Sequence, residues 1–144
     1  MIQKIIIHHS ATRDSGTLSW AAIRKFHMEH GFDDIGYHAG AELVGNQVEC
    51  LFGRPDSMVG AHCYGQNSVS LGFCFVGDYD EVAPAEDLLE AACRRVIVPW
   101  LLTYKLTPWY IRPHREFSSK TCPGKKFDMD RLRRIAAEVL KEQR

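Results

Sequence analysis

The segment Lys4-Ile5-Ile6-Ile7-His8 constrains the fold of this chain more than any other. Three β-branched residues in succession show no alternation of apolar and polar positions, so the strand they form is covered on both faces. A strand of that kind belongs inside a layered α/β structure, and the remaining pattern supplies the layers. Polar turn material follows over Ser10–Gly16. From Ser19 to His30, Trp20, Ile23 and Phe26 recur at helical spacing, with Gly31 as a C-terminal cap. Gly36–Val44 and Gln47–Phe52 flank Gly45-Asn46, a turn pair tolerant of positive φ, and read as a hairpin. Ser70–Val76 is a further strand, ended by Gly77-Asp78. Pro84 opens a long helical stretch with Glu86 and Asp87 in its first turn, where acidic groups complement the helix dipole; Pro99 should end or kink it. Trp109–Arg112 reads as a short strand that delivers His114. The last helix starts at Asp128, an N-cap, with Met129, Leu132, Ile135, Val139 and Leu140 turned inward. The pattern predicts an α/β fold with a central mixed β-sheet of about five or six strands flanked by about three helices.

With 144 residues and 45% hydrophobic content, the chain suits a single domain spanning 1–144 that needs no disulfide or structural metal to hold its core. Lys plus Arg balances Asp plus Glu at 18 each, which gives no reason to expect nucleic acid or an anionic membrane as partner. Arg131, Arg133, Arg134, Lys141 and Arg144 cluster near the C-terminus and read as a solvated helix face. No apolar run approaches the ~20 residues of a bilayer span. The apolar stretch at the N-terminus is shorter than a signal-peptide core of ~7–15 residues, so the expectation is a protein that is cytoplasmic as synthesised.

Five cysteines form no CxxC pair, and their odd number speaks against a secreted disulfide framework. Cys50, Cys74 and Cys93 lie in apolar runs and read as small buried side chains. Cys122 differs, because Lys120-Thr121-Cys122-Pro123-Gly124 is a polar turn without an apolar face. A histidine ending the first strand, a histidine ending the last strand and a cysteine shortly after it could converge as zinc ligands, with a fourth position left for water. Spacing alone leaves open unrelated core and surface histidines, or a Cys122 thiol nucleophile paired with His114.

The segments His8-His9-Ser10-Ala11-Thr12, Ile35-Gly36-Tyr37-His38, Gly60-Ala61-His62 followed by Asn67, Ser70-Leu71-Gly72-Phe73, and His114-Arg115-Glu116 through Lys120-Thr121-Cys122-Pro123 occur in that order. Together they closely resemble the zinc N-acetylmuramoyl-L-alanine amidases, a family that includes phage lytic amidases and animal peptidoglycan recognition proteins. The similarity runs from about Ile5 to Leu132, nearly the whole chain. It implies one Zn²⁺ per chain held by His8, His114 and Cys122. It implies catalytic roles for Tyr37, whose phenol is protonated and able to donate at neutral pH, and for Lys120, which would stabilise charge on the scissile carbonyl oxygen. His62 and Asn67 match positions that contact the stem peptide in relatives. His9 and His38 match no ligand position and are expected to be structural, His38 because it follows Tyr37 on the other side of a strand. Arg54 and Asp56 border the same groove or are solvated turn residues.

The resemblance implies hydrolysis of the amide between the N-acetylmuramoyl lactyl group and L-alanine of the stem peptide. The substrate partner is peptidoglycan or a muropeptide, and the protein is expected to be a monomer with no membrane insertion. A phage or prophage lytic enzyme released to the wall by a separate pore-forming protein fits the lack of a signal peptide. A peptidoglycan-binding module without catalysis and a cytoplasmic muropeptide-recycling amidase are the alternatives.

Overall fold

The computed structural model describes residues 1–13 and 19–143. Its strands are β1 (Lys4–His9), β2 (Ala39–Val44), β3 (Gln47–Phe52), β4 (Ser70–Phe75) and β5 (Ile111–Pro113), forming one sheet in the order β3-β2-β4-β1-β5. The isoleucine strand lies between β4 and β5, parallel to both, with Ile5 opposite Leu71 on one side and Ile111 on the other. β2 is parallel to β4 and antiparallel to β3, so the sheet is mixed, as the sequence predicts. The helices are α1 (Trp20–Glu29), α2 (Glu86–Ala92), α3 (Val98–Tyr104) and α4 (Met129–Glu142). A π-helical turn, Cys93–Ile97, joins α2 to α3 in one rod, so three helical bodies accompany the five strands among the described residues.

Alternation along the strands divides the sheet into two chemically different faces. Ile5, Ile7, Leu71, Phe73, Phe75, Ala39 and Ala41 join Leu88, Trp100, Leu132 and Val139 in the main core. Ile5, Ile6 and Ile7 are completely buried, and each is worth about 1.5–3 kcal/mol relative to an exposed side chain. The opposite face meets α1, where Trp20 packs with Ile35, Cys74 and Val76. Because Ile6, Gly72 and Gly40 fall on this second face, so do their strand neighbours two residues on, His8 and Cys74, which are register partners. One histidine of the pair is thereby sent toward α1 and the other, His9, toward Tyr79.

Several expectations are corrected. Pro99 does not end the helical rod: it lies at the start of α3, directly after the π-turn, and helix continues through it to Tyr104. The π-turn before it, in which Val98 N–H bonds the Cys93 carbonyl, makes room for the ring. β2 begins at Ala39, so Tyr37 and His38 precede the strand and do not obey its alternation. At the hairpin Gly45 alone has positive φ, 61°, and Asn46 does not. Cys50 is half-buried, whereas Cys74 and Cys93 are fully buried; all five cysteines are free thiols. The turn expected over 10–16 falls partly on residues 14–18, outside the described residues, as does Arg144. Of the basic cluster, Arg131 pairs with Glu86, and Arg133 donates to the Ile111 carbonyl at 2.9 Å and to Asp130 at 3.2 Å. No helix of the described residues is long and apolar enough to cross a membrane.

Candidate metal centre and its groove

His8 arrives at the C-terminal end of β1, His114 directly after β5, and Cys122 from the following loop. One ligand atom from each lies within 4.8 Å of the other two. His8 Nδ1 is 3.8 Å from Cys122 Sγ, and the His8 and His114 ring centroids are 4.5 Å apart. Cys122 is not the exposed turn residue its polar surroundings suggest, since it is buried against β1 and its Sγ accepts the His9 N–H at 3.3 Å. The loop folds back because Arg115 N–H donates to the Cys122 carbonyl at 2.7 Å. A cis peptide joins Cys122 to Pro123.

Burial sets the protonation of all three. It holds His8 well below the ordinary imidazole value, with His62 and His114 adding to the effect. His114 is lowered by burial and by Lys120. Burial pushes the Cys122 thiol up to about 11, against the opposing pull of the His9 N–H and Lys120. Two neutral imidazoles and one sulfur are a zinc donor set, and three protein ligands leave a position for a reactant, as in catalytic sites. No carboxylate is among the three, which disfavours a hard cation such as Ca²⁺ or Mg²⁺.

The three residues open into a groove of about 690 Å³ that Tyr37, Lys120 and His62 also line. The Tyr37 ring lies 5.1 Å from His8. Burial, reinforced by Cys74 and Cys122, raises this phenol well above its ordinary value, so it remains a donor. Lys120 is exposed on the groove, its backbone N–H donating to Ser118 Oγ at 3.0 Å.

The two residues expected to contact substrate behave differently. His62 lines the groove, but it is 9% exposed and both ring nitrogens have partners: Nδ1 lies 2.8 Å from His8 Nε2, and Nε2 lies 3.3 Å from Ser70 Oγ. Asn67 does not line the groove. Its carboxamide oxygen accepts the backbone N–H groups of His62 and Cys63, both at 2.9 Å. His38 is structural, with Nδ1 accepting Gly72 N–H at 3.0 Å and Nε2 donating to the Met58 carbonyl at 2.7 Å. It does so on the His62 side, 5.9 Å between rings, not across the strand from Tyr37. His9 Nδ1 accepts the Tyr79 N–H at 3.1 Å. Arg54 donates to the carbonyls of Ile35, Val59 and Asp34 and is a clamp on the loop before Tyr37.

Two groove residues escape a reading of the sequence. Asp80 accepts Thr121 Oγ1–H at 2.9 Å and Lys125 N–H at 2.8 Å, and so straps the Cys122 loop to the turn after β4. His27 lines the groove from α1, its Nδ1 accepting Gly36 N–H at 2.9 Å. The signal for Asp80 is its place just past the Gly77-Asp78 turn; for His27 it is a polar ring on the α1 stripe of Trp20 and Ile23, seven and four residues after them.

Residues 1–125 match the family described as N-acetylmuramoyl-L-alanine amidase. The endolysin of Escherichia phage T7 is 34% identical over 131 residues, 88% of this chain and 82% of that protein. The endolysin of Klebsiella phage KP32 is 33% identical over 130 residues, covering 89% and 83%. Among solved structures, the N-acetylmuramoyl-L-alanine amidase LysC from Clostridium intestinale URNW superposes with a TM-score of 0.77 at 21% identity, over 90% of this chain and 81% of that one. Wild-type Drosophila PGRP-LB gives 0.72 at 28% identity, over 87% and 78%.

Proposed function

Because the chain belongs to the N-acetylmuramoyl-L-alanine amidase family, we propose that it cleaves the lactyl–L-alanine amide of peptidoglycan at a zinc ion held by His8, His114 and Cys122. The observation that carries this reading is the convergence of those three side chains at the head of the groove that Tyr37 and Lys120 line. When bound, zinc supplies a Lewis acid and lowers the pKa of water from ~15.7 toward ~7. The chain's own groups do the rest. Tyr37, kept protonated by burial, donates a hydrogen bond to the oxygen of the amide carbonyl as negative charge develops there. Lys120 brings its ammonium to the same oxygen from the groove's exposed side. The buried faces of His8 and Cys122 exclude bulk water on the Tyr37 side, which strengthens the hydrogen bond that Tyr37 donates.

The endolysin relatives support a phage or prophage lytic enzyme that acts on the wall after release from the cytoplasm, working as a single chain that contributes every ligand. A thiol-nucleophile reading is weakened by the elevated Cys122 thiol, which leaves little thiolate at neutral pH. Mass spectrometry of digested sacculi tests the assignment: new L-alanine amino termini are expected, and cut glycan strands with intact stem linkages would refute it. The comparison of sacculi with small anhydromuropeptides separates the lytic enzyme from a recycling one.

A further inference from the structure

Resting on the reading of His8 as a zinc ligand, we propose that His62 is a positioning residue: it fixes His8 as the Nε2–H tautomer and so aims the bare Nδ1 at His114 and Cys122. The proton inventory starts from the Gln66 carbonyl, which can only accept. Ser70 Oγ lies 2.7 Å from that oxygen and donates its single proton there. The Ser70 oxygen has only lone pairs left for His62 Nε2, 3.3 Å away, so Nε2 carries the His62 proton. Neutral His62 has no second proton, and its Nδ1 is bare. The 2.8 Å contact between that nitrogen and His8 Nε2 then requires His8 to donate. His8 is left with a lone pair on Nδ1, the atom 3.8 Å from Cys122 Sγ.

The surrounding backbone is shaped for the His62 ring. A Cβ on Gly72 would stand 2.6 Å from its Cγ and 2.8 Å from its Nδ1, and one on Gly60 would stand 2.8 Å from its Cδ2. The ring therefore occupies a slot that exists because both positions lack side chains. Ser70 and Gly72 share the face of β4 that carries Cys74, the register partner of His8. Asn67 fixes the other end of the unit through its two backbone hydrogen bonds. The motif residues Gly60, His62, Asn67, Ser70 and Gly72 thus form one device directed at His8. With both ring nitrogens engaged, His62 has no polar atom to offer substrate.

Outer hydrogen-bond partners of metal-bound histidines typically change metal affinity about 10–100-fold. The test combines long-range ¹⁵N–¹H correlation spectra of the metal-free protein, which report the His8 tautomer, with zinc affinity measured by chelator competition. His62→Gln keeps bulk and a donor toward Ser70 but loses the acceptor opposite His8. It is expected to admit the Nδ1–H form of His8 and to weaken zinc binding about 10–100-fold. His62→Asn, whose carboxamide oxygen can take the place of Nδ1, should stay close to wild type in both measurements. An Nδ1–H tautomer of His8 in the wild type would overturn the proposal, and so would a folded His62→Gln with unchanged tautomer and affinity. A wild-type protein that binds no zinc would instead remove the metal reading, and the His8 tautomer would still be decided by the spectra.

Discussion

Burial acts on Tyr37 and Cys122 in the same direction, and at the residue scale the chemistry follows from it. Both groups stay protonated at neutral pH without a metal. For Cys122 this means that taking up zinc as thiolate must expel a proton. Calorimetry in buffers of differing ionisation enthalpy should find at least about one proton released per zinc bound near pH 6, where a zinc-bound water of pKa ~7 keeps most of its protons; no dependence on buffer would remove Cys122 from the ligand set. For Tyr37 the expected outcome of Tyr37→Phe is a kcat about 10²–10³-fold lower with zinc content unchanged, the loss typical of one oxyanion donor. A variant with near wild-type kcat would return Tyr37 to a packing role. Which of His8 and His9 could be a ligand was legible in the sequence only through the resemblance, yet strand alternation supplies the physical reason: residues of even number in β1 face α1. The hydrogen bonds that His62 and Asn67 make were not legible. Their partners, Ser70 and the His62 backbone, are set by loop geometry that no periodicity encodes.

At the scale of elements, β1 and α4 were readable nearly to their ends, because the isoleucine run is buried on both faces of the sheet and the apolar stripe of α4 buries one definite set of side chains. That helix continues through Pro99 was not readable, because it depends on a hydrogen bond from Val98 N–H to the Cys93 carbonyl inside the π-turn. The loop 118–124 has no regular structure of its own, and its position comes from Asp80, Arg115 and the Tyr79 carbonyl, which accepts Lys126 N–H at 2.8 Å. Removing one strap should therefore loosen Lys120 and Cys122 together. Asp80→Ala is expected to lower zinc affinity and kcat/KM by about 10–100-fold while the thermal transition changes little, since Asp80 supports a surface loop and no core. Unchanged zinc affinity would show that Arg115 and the β1 contacts position the loop alone.

For the molecule as a whole, the sheet's two faces separate stability from function: α2, α3 and α4 close the main core, while the face toward α1 holds buried histidines. That arrangement has a pH signature in the metal-free protein. Burial holds His8 and His62 below the ordinary imidazole value of ~6.5, so the unfolded chain binds protons that the fold refuses. Stability is complete above about pH 6.5 and declines as pH falls below it, continuing toward the His62 value of about 3. Urea denaturation at pH 7.5 and pH 5 should show a lower midpoint at pH 5, and an equal or higher midpoint would contradict neutral burial of these rings. The most direct test of the zinc amidase account is metal content measured alongside cleavage of sacculi, before and after exhaustive chelation. One zinc per chain, activity lost on its removal and restored by zinc, and neither property in Cys122→Ser is the expected result. Activity that survives complete removal of the metal would contradict it.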